Sequence, residues 1–131
     1  MMYFKAYILS TLASIMSILK TVETNNNTDS IGDNGRSYGI LQIQRSVVSD
    51  VNRIYNTEYS HDDMFSEKAS EEVFKLYICY GREVFSKKHG RFPTESEMVR
   101  MWNGGIYKGY TYKQTKSYYQ KYLDVKRELN R

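Results

Sequence analysis

The sequence predicts a mainly helical domain of the α+β kind, with one irregular glycine-rich lobe that holds a short hairpin. Two observations lead to this fold class. Apolar residues recur at helical spacing along most of the chain, whereas residues 24–39 are rich in glycine, asparagine and serine, which favour turns. With 131 residues, of which 40% are hydrophobic, the chain can bury one core but is too short for two. We therefore expect residues 1–131 to form a single domain.

The first expected element is a helix that ends near Glu23. Its apolar residues recur at i, i+3 and i+4, namely Ile8, Leu12, Ile15, Leu19 and Val22. Residues 1–11 are either an N-terminal extension of the domain or part of a weak signal-like segment, since one lysine precedes a moderately apolar stretch. Serine and threonine interrupt that stretch, and a membrane span needs ~18 or more consecutive apolar residues. We expect a core helix and no stable membrane insertion.

Glu23 lies at the edge of the apolar stripe of this helix, four residues after Leu19. A carboxyl group in that position is partly desolvated, which disfavours its charged form and raises its pKa. Such a glutamic acid stays protonated near neutral pH and can donate a proton to a leaving group. The alternative is a glutamate that bends out to water at the end of a helix, as most helical glutamates do.

The segment after Glu23 is expected to be irregular. Three successive asparagines begin it, and Gly32, Gly35 and Gly39 permit the left-handed backbone that is typical of a cleft lining or a short hairpin. The stretch "GILQI", which begins at Gly39, is either a short strand or the start of the next helix. This segment forms the predicted glycine-rich lobe.

The rest of the chain is predicted to be helical. One helix covers about residues 46–56, and a longer one ends at Gly90. Thr94 and Glu97 have the spacing of a capping box, so a third helix should begin there and end at the "WNGG" stretch. A last helix includes residues 115–125.

The sequence indicates neither a metal site nor a cofactor. His61 and His89 are far apart and have no cysteine or carboxylate at ligand spacing. A calcium loop beginning at Asp29 would need glycine and glutamate at positions that hold Asn34 and Ile40. The glycines also miss the spacings of dinucleotide-binding and phosphate-binding loops.

The net charge of +4 is concentrated near the C-terminus. Residues 107–131 hold seven Lys or Arg against two acidic residues, together with six of the thirteen tyrosines. Interleaved basic and aromatic residues suit a nucleic acid or an anionic glycan on which rings can stack. The alternative is a helix with a solvated lysine face and a tyrosine face in the core. Because no recognised nucleic-acid-binding motif accompanies the charge, we expect no nucleic-acid partner.

Four short motifs follow one another along the chain. They are "VET" at residues 22–24, "GRSYGILQI" at 35–43, "RMWNGG" at 100–105 and "QTKSYYQKY" at 114–122. This order resembles that of the lysozyme-like superfamily, in particular the soluble lytic transglycosylases and the phage proteins related to them. The resemblance covers about residues 12–123, and although each motif alone is weak, four in the right order are more specific. It implies a lysozyme-like fold.

The resemblance also implies roles for individual residues. Glu23 would be the catalytic acid and base, and Tyr38 and Gln42 would bind substrate. Asn103 would hydrogen-bond the sugar or shape the floor of the cleft. Tyr118 would approach Glu23 and help to hold its proton.

The chain departs from the family pattern at several positions. Thr24 stands where the family usually has serine, and Gln114 stands where it usually has glutamate. Trp102 and Gly104 replace the tyrosine and the alanine on either side of Asn103. The changes at Thr24 and Gln114 bear on hydrogen bonding near the site.

Asp33 is the candidate second carboxylate. The segment "GDNGRSYGILQI" resembles goose-type and invertebrate-type lysozymes, in which an aspartate precedes the Gly-x-x-Gln motif, and Asp33 occupies the matching place. In those enzymes the second carboxylate assists water or the sugar cation. The alternative is a turn aspartate that bonds its own backbone.

The resemblance implies a muramidase that cleaves peptidoglycan glycan strands at the β-1,4 bond between N-acetylmuramic acid and N-acetylglucosamine. Two alternatives within the family are a lytic transglycosylase, which leaves anhydro-muramic ends, and an inactive glycan-binding relative. Any of these would act at the bacterial cell wall, delivered by a phage or secreted. A basic helical protein that binds nucleic acid is the alternative outside the family.

Overall fold

The computed structural model describes residues 2–131, with side chains described from Thr11 onward. The chain is mainly helical, with a small antiparallel sheet between the first two helices. The elements in chain order are α1 (Met2–Thr24), β1 (Ile31–Gly32), β2 (Ser37–Tyr38), β3 (Ile43–Gln44), α2 (Arg45–Tyr55), α3 (Glu67–His89), α4 (Glu95–Gly104) and α5 (Lys113–Leu129). The predicted fold class, mainly α with a small hairpin-containing lobe, is confirmed.

Helix α1 buries the stripe that its periodicity predicts. Leu12, Ile15 and Leu19 are buried, whereas Ser17, on another face, is exposed. The predicted core position Ile8 lies outside the residues whose side chains are described. Within residues 2–131, no helix has both the length and the apolar character needed to cross a membrane.

The lobe between α1 and α2 is a three-stranded antiparallel sheet in the order β1-β2-β3. Gly32 pairs with Ser37, and Tyr38 pairs with Ile43. The "GILQI" stretch was expected to be a short strand or the start of the next helix. Its last residue, Ile43, begins the short strand β3, and helix α2 begins two residues later at Arg45. The lobe packs inward through Ile40, Leu41 and Ile43.

The helix ends follow the capping residues seen in the sequence. Thr94 accepts a hydrogen bond from the backbone N–H of Glu97, and the Glu97 carboxylate accepts one from the backbone N–H of Thr94, so the predicted capping box is confirmed. Gly90 ends α3 in a left-handed conformation with φ 70°. Two 3₁₀ turns, Asp62–Phe65 and Gly109–Thr111, were not predicted, because segments this short carry no periodic signal.

One hydrogen-bond relay joins α4 to the start of α5. Arg100 donates through Nε to the Thr115 hydroxyl at 2.9 Å, and Thr115 donates to the carbonyl of Gly109 at 2.7 Å. The Thr115 hydroxyl is buried, so these bonds are shielded from competing water. The relay fixes α5 against α4 and thereby sets the position of Tyr118 relative to Trp102.

Candidate active site

A cavity of about 460 Å³ opens between the end of α1, the small sheet, α3 and the end of α4. Four of the six residues predicted for the site line it, namely Glu23, Asp33, Gln42 and Asn103. They come from three separate segments of the chain, so the fold brings together side chains that the sequence places up to eighty residues apart. The remaining two, Tyr38 and Tyr118, do not line this cavity.

Glu23 is held in the last turn of α1. The helix ends because Asn25 and Asn26 adopt left-handed conformations with φ 54° and 68°. Thr24 then fixes the helix end to the lobe, because its hydroxyl donates to the carbonyl of Ile40 at 2.9 Å. The end of α1 that carries Glu23 is therefore held to the glycine-rich lobe by this hydrogen bond.

Burial raises the pKa of Glu23 to about 7. The raised pKa agrees with the sequence argument, in which a carboxyl at the edge of an apolar stripe is desolvated. Hydrogen bonding from the Tyr118 hydroxyl and the Trp102 indole, and the positive charge of Lys121, act in the opposite direction but are smaller. Near neutral pH this carboxyl is thus balanced between its protonated and charged forms, as general acid–base catalysis requires.

Trp102 is a member of the site whose role the sequence did not indicate. Its ring packs edge-on against Phe74, with ring centroids 4.8 Å apart, and against Tyr77 at 6.0 Å. This packing directs the indole towards Glu23, where its N–H favours the charged carboxylate. The sequence signal was its place directly before Asn103 in "WNGG", but only the packing of α4 on α3 shows that it reaches Glu23.

Tyr118 faces Glu23 from α5, as the family resemblance implied. Its hydroxyl is buried and makes no hydrogen bond of ideal length and angle with the described residues. Burial raises the pKa of Tyr118 far above its usual range, and the neighbouring Glu23 carboxylate raises it further. Tyr118 therefore stays neutral. Its hydroxyl can donate a hydrogen bond to the Glu23 carboxylate or accept one from the protonated Glu23 carboxyl.

Asp33 lies at the rim of the cavity in a left-handed turn with φ 53°. Its carboxylate accepts a 2.9 Å hydrogen bond from the Gln44 side chain and forms a 3.5 Å ion pair with Arg36. The side chain is 45% exposed, so water reaches it freely. Both predicted roles of Asp33, the second carboxylate and the turn residue, are compatible with this position.

Gln42 is fixed by its own lobe. Its side-chain amide donates to the carbonyl of Gly39 at 2.9 Å and to that of Ser30 at 3.2 Å. A Cβ on Gly32 would lie 2.2 Å from the Gln42 Oε1 atom, so a glycine is needed there for the side chain to adopt this position. Both hydrogen bonds are made by the amide nitrogen, so the side chain of Gln42 is held in one orientation where it lines the cavity.

Tyr38 lies on the other side of the small sheet. Successive side chains of a strand point to opposite faces, so Ser37 lines the Glu23 cavity and Tyr38 does not. Tyr38 stacks on His61 instead, with ring centroids 3.8 Å apart, and both residues line a neighbouring pocket. A substrate-binding role for Tyr38 stays a prediction that concerns this second pocket.

The tyrosines of α5 mainly face inward. Tyr122 is fully buried and donates to Glu95 at 3.1 Å, and Tyr119 stacks against it. Lysines 113, 116 and 121 are exposed on the same helix. This arrangement matches the second interpretation of the basic tail, so the rings left for stacking on a ligand include Tyr107 and Tyr112, which are exposed.

No group of three or more His, Cys, Asp and Glu side chains among the described residues is placed to hold a metal ion. No protein-family model matches the chain, and no curated protein matches it either. The function must therefore be inferred from the chemistry of the cavity and from the motifs in the sequence.

Proposed function

We propose that the chain cleaves peptidoglycan at the β-1,4 bond between N-acetylmuramic acid and N-acetylglucosamine, as a lysozyme-like muramidase. The observation that carries this proposal is Glu23, a desolvated carboxyl with a pKa of about 7 that lines an open cavity. The cavity also presents amide groups from Gln42 and Asn103, which suit the hydroxyl and acetamido groups of an amino sugar. The ordered motifs of the sequence point to the same class.

In the first step, protonated Glu23 donates its proton to the glycosidic oxygen. The bond between that oxygen and the muramic acid carbon breaks, and positive charge develops on the sugar ring as an oxocarbenium-like centre. Glu23 is left as a carboxylate. The Trp102 indole and the Tyr118 hydroxyl stabilise this charged form, because both lower the pKa of Glu23.

The second step decides between two products. In a hydrolase, the Glu23 carboxylate takes a proton from water, which adds to the sugar carbon and leaves a reducing end, while Asp33 positions the water or stabilises the cation. In a lytic transglycosylase, Glu23 takes the proton from a hydroxyl of the same sugar, which closes an anhydro ring. We favour hydrolysis, since Asp33 lies at the rim of the cavity that Glu23 lines.

The lytic transglycosylase is the second candidate. The observation that favours it is the state of Asp33, which is largely exposed and already engaged by Gln44 and Arg36. A carboxylate with these partners is a weaker nucleophile and base than a free one. In a transglycosylase no second carboxylate is required, and Asp33 would serve the turn alone.

Mass spectrometry of fragments released from purified peptidoglycan tests the proposal. The wild type should release fragments with reducing muramic ends, and Glu23→Gln should release none, because glutamine cannot donate the proton. Glu58→Gln, which removes an exposed glutamate away from the cavity, is the matched control and should behave as wild type. Anhydro ends would establish the transglycosylase instead. An absence of fragments from walls of several chemotypes would contradict both and favour an inactive glycan-binding relative.

A further inference from the structure

A second pocket, of about 360 Å³, adjoins the Glu23 cavity and shares Gln44 and Ser46 with it. We call it the arginine pocket, because Arg36 and Arg45 lie in its lining. No acidic residue lines it among the described residues. None of the proposed catalytic steps uses this pocket, so its charge and its position next to the cavity need a separate explanation.

The two arginines differ in how far their charge is already neutralised. Arg36 forms the 3.5 Å ion pair with Asp33 and is 69% exposed. Arg45 is exposed, and no hydrogen bond or ion pair joins its side chain to another described residue. A guanidinium binds carboxylates with two parallel hydrogen bonds, and this geometry makes arginine a specific partner for that group. The pocket therefore offers positive charge that the protein itself does not fully satisfy.

The pocket also lies at the start of α2. The residue before the helix, Gln44, makes no capping hydrogen bond with its side chain, and its amide nitrogen donates to Asp33. The first backbone N–H groups of α2 are thus left without a side-chain partner, and the helix dipole favours an anion there. The start of α2 and the two arginines therefore both favour an anion in the pocket.

A buried histidine provides an independent observation. His61 lines the pocket but is only 8% exposed. Its Nε2 lies 2.8 Å from the carbonyl of Ile43, and since a carbonyl only accepts, Nε2 carries the proton. The other nitrogen, Nδ1, is buried and has no partner among the described residues. In the neutral ring Nδ1 is an acceptor, so it is a buried acceptor that no described residue satisfies.

We propose that the arginine pocket binds a carboxylate that neighbours an amide N–H, as found on the peptide stem attached to muramic acid. The guanidinium groups of Arg36 and Arg45 and the start of α2 would hold the carboxylate. The Nδ1 atom of His61 would accept from the amide. This inference rests on the proposed function, because it takes a glycan strand in the adjoining cavity to bring its peptide substituent to the pocket.

The pocket would make peptide-bearing strands better substrates than bare ones. Its shared wall with the Glu23 cavity means that one strand can occupy both at once. A carboxylate can, however, come from two sources on this polymer, the peptide stem or the lactyl group that is free once the peptide is removed. The probes must separate these sources.

Binding of muramyl dipeptide, measured by titration calorimetry, tests the inference without any turnover. Arg45→Gln and Arg36→Gln should each weaken binding about tenfold, since each removes a charge-assisted hydrogen-bond pair. Arg127→Gln is the matched control, because Arg127 is also 69% exposed and also pairs with an aspartate three residues earlier. It should bind as wild type. All three changes lie on exposed side chains, and melting temperatures verify that the fold is kept.

Two further probes fix the source of the carboxylate. N-acetylmuramic acid carries the lactyl carboxylate without a peptide, and an N-acetylglucosamine oligomer carries neither. Muramyl dipeptide should bind more tightly than N-acetylmuramic acid, and only binding of the dipeptide should depend strongly on Arg45. Equal affinity of all variants for the dipeptide, no measurable binding of it, or equal arginine dependence for N-acetylmuramic acid would overturn the inference.

The failure of this inference is distinguishable from the failure of the proposed function. If Glu23→Gln abolishes fragment release while the arginine variants cleave peptide-bearing and peptide-free strands as wild type does, the function stands and the pocket does not bind the stem. If the dipeptide binds with the expected arginine dependence but no fragments are released, the pocket is supported and cleavage is not.

Discussion

The hydroxyl of Thr24 donates a 2.9 Å hydrogen bond to the carbonyl of Ile40 and accepts one of 3.1 Å from the backbone N–H of Asn27. Thr24 directly follows Glu23, so the bond to Ile40 joins the end of α1 to the lobe that contributes Asp33 and Gln42 to the cavity, and the bond from Asn27 holds the turn that follows the helix. A serine in this place would carry the same hydroxyl. Thr24 therefore offers the same hydrogen-bonding groups as the serine of the motif that the sequence resembles.

Replacement of Thr24 tests this anchor. Thr24→Val keeps the shape but leaves the Asn27 N–H and the Ile40 carbonyl without this partner, and we expect a loss of about 1–2 kcal/mol in the free energy of unfolding. Thr24→Ser keeps the hydroxyl and should stay within about 0.5 kcal/mol of wild type. Urea unfolding measures both. Destabilisation by Thr24→Ser, with little or none by Thr24→Val, would mean that the γ-methyl group, not the hydroxyl, matters here.

The part of the site that the sequence predicted depends on local rules. Glu23 could be placed because its position relative to Leu19 fixes which face of α1 it shares, and that face is buried. The capping box at Thr94 and Glu97 is likewise a property of four consecutive residues. Elements whose signal lies within one or two turns of chain were found correctly.

The part that the sequence did not predict depends on contacts between distant segments. Trp102 reaches Glu23 only because α4 packs on α3, where its ring meets Phe74. The resemblance implies the same substrate-binding role for Tyr38 and Gln42, but the alternation of β2 turns Tyr38 to the opposite face of the sheet from Ser37, which lines the cavity. The position of the strand within the lobe had to be known before that face could be assigned.

The raised pKa of Glu23 predicts that this residue destabilises the fold above neutral pH. In the unfolded chain the Glu23 carboxyl loses its proton near pH 4.5. In the folded protein the same carboxyl keeps its proton until about pH 7. Between these values the folded state binds more protons, so stability falls as pH rises and the loss is complete above pH 7. The glutamine of Glu23→Gln does not titrate. The free energy of unfolding of this variant, relative to that of wild type, should therefore be higher at pH 8 than at pH 4 by up to about 3 kcal/mol.

Urea unfolding of both proteins at pH 4 and pH 8 measures this difference. Glu58→Gln, at an exposed position, should give the same offset from wild type at both pH values. The result does not depend on any enzymatic activity, because it concerns only the desolvation of one carboxyl. A stability difference between Glu23→Gln and wild type that stays constant from pH 4 to pH 8 would contradict the buried position of the carboxyl.

Removal of the Tyr118 hydroxyl should raise the pKa of Glu23 further. That hydroxyl is the strongest of the groups that lower it, so Tyr118→Phe leaves the charged carboxylate less stabilised. We expect an upward shift of about 1 pKa unit, measured by carbon NMR of the Glu23 carboxyl. Tyr119→Phe, whose ring stacks on Tyr122, is the control and should leave the titration unchanged. In the proposed enzyme, the alkaline limb of the pH profile would move upward with the NMR value.

Two glycines of the lobe allow the cost of backbone strain to be measured apart from the cost of a steric clash. Gly35 and Gly39 have similar left-handed conformations, with φ 85° and 82°. A Cβ on Gly39 would lie 1.9 Å from the Met64 carbonyl oxygen, whereas one on Gly35 meets nothing within 4 Å. Gly35→Ala should cost about 1 kcal/mol, the price of the left-handed backbone alone. Gly39→Ala should cost roughly 1–3 kcal/mol more, because the lobe must move away from the 3₁₀ turn that carries Met64.

Substitution of Asp33 distinguishes its two roles. Asp33→Asn removes an exposed ion pair with Arg36, which is worth about 0–1 kcal/mol, so the fold should be kept. If Asp33 assists water, release of reducing ends should fall by about a hundredfold, the contribution expected of a positioned acid or base. Asp29→Asn, at an exposed position in the same segment, is the control. Fragment release that is unchanged by Asp33→Asn, with Glu23→Gln still inactive, would leave Asp33 as a turn residue. The site would then work with Glu23 as its one carboxylate, and the end groups of the fragments, reducing or anhydro-muramic, would show whether water or the sugar's own hydroxyl completes the reaction.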